Sequence, residues 1–257
     1  MLNRRLLLAV ALPLFFPSAR AAPDPQEILR ASDAVRNPGR PHRVKLTLTE
    51  YEDGKQVNTS TLLTYSREQE GNMQFATLAT FVLPTRDAGK LMLRNGDEMW
   101  FFDPSTKASV RLSSQQRLMG QASNGDVMTV NFGRDYHAKL LSDEEVTDGE
   151  RKLRKSYKLG LAARTPSATY ATVEFWVEHE TNRPIKARFF AESGHLLKTV
   201  YYRRYQPQLG RDRPTESVII DGLNPQSVTV MRFSDYSTPT MPIAWFQRDY
   251  LPRFQPE

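Results

Sequence analysis

From Arg43 onward the sequence adopts a period of two and keeps it. Apolar and polar residues alternate, and turn-forming residues interrupt the alternation at short intervals. "RVKLTLTEYEDGKQVNTSTLLTYS" sets Val44, Leu46 and Leu48 against Lys45, Thr47 and Thr49, turns at Asp53-Gly54, and runs back through Val57 to Tyr65. Such alternation gives a strand one apolar face, and Asp-Gly between two such runs is a short hairpin signal. "NMQFATLATFVLP" follows as another strand. "GKLMLRNGDEMWFFDPSTKASVRLSS" adds three more, turned at Asn95-Gly96 and around Asp103-Pro104. The pattern continues through "HAKLLSDEEV", "TYATVEFWVEH", "PIKARFFAES" and "HLLKTVYYRRY" to "SVTVMRFSDY". Ten or more strands with short turns between them predict a mainly antiparallel sheet in one domain. A sheet of this size needs its apolar face covered. Curling into a barrel, with helices over the opening, would achieve that and could enclose a ligand.

Three segments break the strand pattern. "PQEILRASDAVRN" has Asp24 as a cap, Pro25 at the first helical position and an apolar stripe of Ile28, Leu29, Ala31 and Val35, so it predicts a helix ending before Pro38-Gly39. "SSQQRLMGQA" lacks β-branched residues and has Ser113 or Ser114 as a cap, which predicts a second, short helix. "IAWFQRDYLPRF" predicts a turn of helix carrying Trp245, Phe246 and Leu251.

The first residues read as a leader. Arg4 and Arg5 precede the apolar run Leu6–Phe16, and Ala19-Arg20-Ala21 has the small-x-small form that a signal peptidase accepts. The run is shorter than the roughly 20 residues a spanning helix needs, and Pro13 and Pro17 interrupt it. We expect a signal peptide over residues 1–21, a single domain over 22–257, and a soluble monomer in the periplasm. The chain has no cysteine, so neither disulfides nor thiolate chemistry can contribute. Of 35 basic residues the leader holds Arg4, Arg5 and Arg20 and no acid, leaving 32 against 29 acidic, a net charge of +3. That balance argues against a nucleic-acid partner, which calls for a concentrated basic face.

No catalytic set assembles from the sequence. His42, His137, His179 and His195 are scattered, with no pair at metal-site spacing. Neither a G-x-S-x-G elbow nor a phosphate-binding glycine loop occurs. Ser193-Gly194-His195 reads as a hairpin turn, and Asp143-Glu144-Glu145 as a solvated strand end. We expect neither an enzyme nor a cofactor or metal site. The aromatic residues are more informative, because Phe75, Phe81, Trp100, Phe102, Phe175, Trp176, Phe189, Phe190, Tyr201 and Tyr202 all fall on predicted strands. They serve either as ordinary sheet core or as the wall of a cavity for a lipid-like ligand.

The run Phe81–Gly120 resembles the outer-membrane lipoprotein-sorting protein family, relatives of the lipoprotein carriers LolA and LolB. The matching residues are Pro84, Gly89, Leu91, Trp100, Phe102, Pro104, Arg111, Met119 and Gly120, with Asp126 soon after. "ATVEFWVEHETNRPIKARFFAESGHLLKTVYY" and the closing "AWFQRDYLPRF" are similar to later parts of that family. The resemblance implies an incomplete, half-open antiparallel β-barrel, with helices forming a lid over a hydrophobic cavity that holds acyl chains. Phe75, Phe81, Trp100, Phe102, Trp176 and Phe190 would then be wall, while Arg111, Leu118 and Met119 would lie at the lid. The implied function is periplasmic carriage of a lipid or lipoprotein acyl chain towards the outer membrane. Its partners would be an inner-membrane transporter or an outer-membrane acceptor. The alternative is a regulatory module that senses lipid or lipoprotein and docks onto a membrane partner. Carriage requires a hollow interior, and a packed one would weaken it.

Overall fold

The strand pattern builds one large sheet. The computed structural model describes residues 23–71, 74–165 and 168–255, so the expected leader lies outside the described residues. In chain order the strands are β1 (His42–Glu52), β2 (Lys55–Glu68), β3 (Phe75–Leu83), β4 (Leu91–Asn95), β5 (Glu98–Asp103), β6 (Ala108–Arg111), β7 (Arg117–Met119) and β8 (Ala122–Ser123). They continue with β9 (Tyr136–Thr147), β10 (Leu153–Ala163), β11 (Thr172–Glu178), β12 (Pro184–Phe190), β13 (Leu196–Gln208), β14 (Arg211–Asp221) and β15 (Ser227–Ser237). Thirteen of these form one antiparallel sheet in the order β6-β5-β4-β3-β2-β1-β15-β14-β13-β12-β11-β10-β9. The first and last long strands meet in mid-sheet, with Leu48 opposite Met231. β6 and β9 are unjoined edges, so the barrel is incomplete. Asp53 and Gly54 both have positive φ, as the tight β1–β2 hairpin requires.

Alternation sorts the apolar residues onto two faces. Leu46, Leu48, Leu62, Met92, Phe175 and Met231 belong to the inner cluster. Tyr65, Leu78, Leu91, Leu93 and Phe102 belong to the outer one, where Trp245, Phe246, Leu251 and Phe254 of the C-terminal 3₁₀ turns cover them. Tyr65, Trp245 and Phe254 meet edge-on, with ring centroids 5.1–5.5 Å apart.

The inner face is covered by α1 (Pro25–Arg36) and by a strap running from Ser113 to Asp135, which ends in the short helix α2 (Phe132–Asp135). Asp24 caps α1 by accepting from the Gln26 backbone N–H at 2.9 Å. At the other end Arg213 of β14 donates to the Ala34 and Val35 carbonyls at 3.1 and 2.8 Å, satisfying acceptors that a helix leaves open. Leu29 is fully buried in the inner core. Leu29→Ala is therefore expected to lower stability by about 2–5 kcal/mol, read as an earlier urea midpoint at unchanged slope.

The helix expected over Ser113–Ala122 is not formed. β7 and β8 make a small hairpin there, turning at Gly120, whose φ of 52° suits glycine. A Cβ on Gly120 would lie 2.3 Å from the Thr229 hydroxyl oxygen. That oxygen instead accepts the Gln121 backbone N–H at 2.8 Å. Contact with the sheet thus outweighs helix propensity, already about 1 kcal/mol poorer at a glycine.

Candidate functional site

The strap is fastened chiefly by side chains of the sheet and of α1. Ser66 bonds Thr129 hydroxyl to hydroxyl at 2.7 Å. The Asp33 carboxylate accepts from the Gly133 backbone N–H at 2.6 Å. Asp135, buried, accepts from Gln74 at 3.0 Å and from Arg94 at 3.3 Å. The densest fastening lies at the other end. Lys198 of β13, only 3% exposed, is ion-paired with Asp126 and donates to the Gln121 carbonyl at 3.1 Å. Asp126 also accepts from the Tyr170 hydroxyl at 2.9 Å and from the Ser123 backbone N–H at 2.7 Å. The Lys198 ammonium stands 4.8 Å from the Tyr170 ring centroid. Burial pushes the Lys198 pKa down and the Tyr170 pKa well up, so burial opposes the charge that Asp126 stabilises.

Beneath the strap lies a cavity of about 140 Å³. Val127, Met128, Phe189, Val200, Ile219 and Met231 line its apolar part, and Arg36, His42, Tyr202, Ser217 and Tyr236 supply polar groups. A cavity of roughly 150 Å³ accommodates benzene, so this one is far too small for a long acyl chain. The interior expected to be hollow is mostly filled, because Ile28, Leu29, Val127, Met128 and Phe132 occupy the inner face. On the far side of Tyr170 a larger cleft of about 570 Å³ lies among Gln115, Arg117, Phe190, Leu196, Lys198 and Leu223. Tyr170 and Thr169 line both spaces, so the Lys198–Asp126–Tyr170 knot stands between them.

The residues singled out from sequence scatter. Phe81, Leu118 and Met119 gather around a third space of about 180 Å³ near the β3 end. Phe190 lines the larger cleft. Phe75 is buried, its ring centroid 6.2 Å from that of His42. Trp100 and Phe102 lie on the outer face, away from the interior, where the Arg248 guanidinium sits 4.1 Å from the Trp100 ring centroid. Trp176 also faces out. Its indole N–H donates to Glu144 at 2.8 Å, and the Lys158 and Lys186 ammoniums flank its ring. Arg111 ends an edge strand, exposed, 3.6 Å from Glu98. No helical lid carries Leu118, Met119 or Arg111, because that stretch is hairpin and edge strand.

Comparison with known proteins fits this architecture. A family model described only as "uncharacterized protein" matches residues 74–253. A LolA superfamily protein of Nitrosomonas europaea is 33% identical, with a TM-score of 0.78 over 89% of this chain and 100% of its own. The chain belongs to the LolA superfamily. The same fold recurs at 20% identity in a Vibrio parahaemolyticus domain named for outer membrane lipoprotein sorting, with a TM-score of 0.74 over 89% of this chain and 98% of that one. A domain-of-unknown-function family protein of Desulfovibrio piger gives 20% and 0.74, over 89% and 100%. No curated protein matches.

Within this LolA-superfamily fold the cavity takes one residue from each adjacent aromatic pair on β12 and β13. Phe189 rather than Phe190 lines the cavity, as does Tyr202, the neighbour of Tyr201. A signal was available, since Phe190 shares its side of β12 with Lys186 and Arg188, whereas Phe189 shares its side with Ala187. Trp176 likewise alternates with Glu174 and Glu178, and Phe175 with Val173 and Val177. Charge on the same parity marks the outward side. Among the described residues no group of three His, Asp or Glu side chains could hold a metal, and no helix is long and apolar enough to cross a membrane.

Proposed function

We propose that this protein is a periplasmic carrier that takes an acyl chain of a lipid or lipoprotein onto the inner face of its open sheet and delivers it towards the outer membrane. Membership of the LolA superfamily supports the reading, and one observation carries it. The strap over the apolar inner face is fastened at both ends by side-chain bonds, around a cavity that its own residues do not fill. Lifting the strap would uncover Leu46, Leu48, Leu62 and Met231 and enlarge that cavity into a trough. Burying an acyl chain there is worth about 0.8 kcal/mol per methylene, enough to offset loss of the strap's own contacts. Binding and release, rather than turnover, is the work this arrangement suits. The closed state carries no cargo, and loading requires displacement of the strap.

The test is native mass spectrometry of protein purified from an outer-membrane-bearing host, followed by incubation with long-chain lipids. The expected result is a lipid adduct and protection of an acyl-linked fluorophore from solvent quenching. Protein that is uniformly empty and takes up no added lipid would overturn the proposal.

A further inference from the structure

The cavity is not uniformly apolar. Along β13 the inward residues run Lys198, Val200, Tyr202, and along β14 they run Ile219, Ser217. The middle is therefore aliphatic, and polar groups collect at the end beyond Val200. Arg36, His42, Tyr202 and Tyr236 line that end, drawn from the last turn of α1 and from β1, β13 and β15.

The chemistry of this end is that of a donor set. Arg36 lies with its guanidinium carbon 3.9 Å from the Phe132 ring centroid, and one of its nitrogens pairs with Asp33 and donates to the Val130 carbonyl at 3.1 Å. Its Nε is buried and has no hydrogen-bond partner among the described residues. A buried donor left unpaired is costly, and a planar guanidinium is well shaped for an oxyanion. Burial pushes the phenols of Tyr202 and Tyr236 up to about 12. Both hydroxyls therefore remain donors at neutral pH, where a carboxylate or phosphate is ionised. Burial lowers the pKa of His42, keeping the ring neutral. Two carboxylates face this region and both are already paired: Asp33 with Arg36 and the Gly133 N–H, and Asp126, which lines the cavity, with Lys198.

We infer that, once the strap is displaced, this end of the enlarged cavity binds the anionic oxygen head of a single-chain amphiphile, with Arg36 Nε and the Tyr202 and Tyr236 hydroxyls as donors and the chain lying along Val200, Ile219 and Met231 towards Lys198. This inference rests on the carrier reading and narrows its ligand class. The head could be the carboxylate of a free fatty acid or the phosphate of a lipid head group. Both offer the oxyanion that the site recognises.

The test compares dodecanoate, dodecyl phosphate and dodecanol in displacing a fluorescent acyl probe from the full chain, so that the three ligands differ only in the head. The inference expects at least one of the anions to bind tenfold or more tighter than the alcohol. The anion preferred identifies the head group. Tyr202→Phe removes one hydroxyl and no packing volume, and is expected to weaken the preferred anion severalfold while leaving dodecanol unchanged. Arg36→Gln is expected to weaken it tenfold or more, judged only if its circular dichroism and melting match the parent. Equal binding of all three, unaffected by Tyr202→Phe, would overturn the inference while leaving the carrier reading standing. Failure of all three to displace the probe, with no probe bound at the outset, would remove both.

Discussion

Asp126→Asn is expected to destabilise this chain by about 3–5 kcal/mol, because it strips the counter-ion from a buried lysine without changing the shape of the site. Lys198 is 3% exposed, and burial already holds its pKa below the ordinary lysine value. Asparagine can still accept from the Ser123 backbone N–H and the Tyr170 hydroxyl, the bonds Asp126 makes now. What is lost is charge. Lys198→Met should cost less, because Asp126 keeps those two donors and is more exposed than its partner. The double variant, Asp126→Asn with Lys198→Met, should recover much of the loss, since a buried ion pair is weak evidence of net stabilisation while a half-removed one is destabilising. A double-mutant cycle from urea midpoints measures this. If Asp126→Asn proved as stable as the parent, the pair would be exposed in solution and the strap unfastened at that end. The same variant carries a functional readout. With the knot broken the strap should lift more often, so an acyl probe should load faster while the far-ultraviolet spectrum of the sheet stays unchanged.

The sheet was legible in the sequence because strand alternation is local and is reinforced by turns with backbone-specific residues. Asp53-Gly54 and Asn95-Gly96 mark two hairpins, and the strands fall where the alternation places them. Asp24 and Pro25 likewise start α1 where helix chemistry requires. Two things were not legible. The stretch around Gly120 has weak preferences of its own, and its hairpin is imposed by Thr229, more than a hundred residues further on. The direction in which Trp100 and Phe102 point depends on which side of the sheet the C-terminal turns cover, a long-range choice that β5 alone does not encode. The candidate site suffered for the same reason. Aromatic residues are rich on both faces, and those conspicuous in the sequence, such as Trp100 and Trp176, are held by surface cations and acids. The cavity is lined instead by aliphatic residues such as Val200 and Ile219 together with Phe189 and Tyr202, whose only mark is parity. Arg36 and Asp126 join the site through the packing of α1 and the strap, which no single segment announces.

Alkaline pH is expected to unfold the chain cooperatively between about pH 10 and pH 12, through its buried phenols. Burial raises the pKa of Tyr202 and Tyr236 to about 12, and raises those of Tyr136, Tyr170 and Tyr205 as well. A group whose pKa is higher folded than unfolded contributes stability in full below its unfolded value, near pH 10, and that stability is lost as pH rises towards the folded value. Within this window the unfolded chain releases five phenolic protons that the folded chain retains. Each is worth about 1.4 kcal/mol per pH unit, so stability falls by about 7 kcal/mol per unit while all five remain protonated. A domain typically has only about 5–15 kcal/mol in total. The tyrosinate absorbance of these five, half of the chain's ten tyrosines, should therefore rise together with loss of the sheet's circular dichroism, with one midpoint. Tyrosinate from all ten tyrosines appearing over an intact sheet would contradict the burial of these hydroxyls. Tyr202→Phe and Tyr236→Phe should each move the midpoint upward, since each removes about 2 kcal/mol of alkaline destabilisation by pH 12. The effect should also respond to cargo. A ligand that binds only the folded chain adds stability by mass action, so a bound amphiphile would raise the alkaline midpoint in the parent. The rise would be smaller in Tyr202→Phe if that hydroxyl holds the ligand's head.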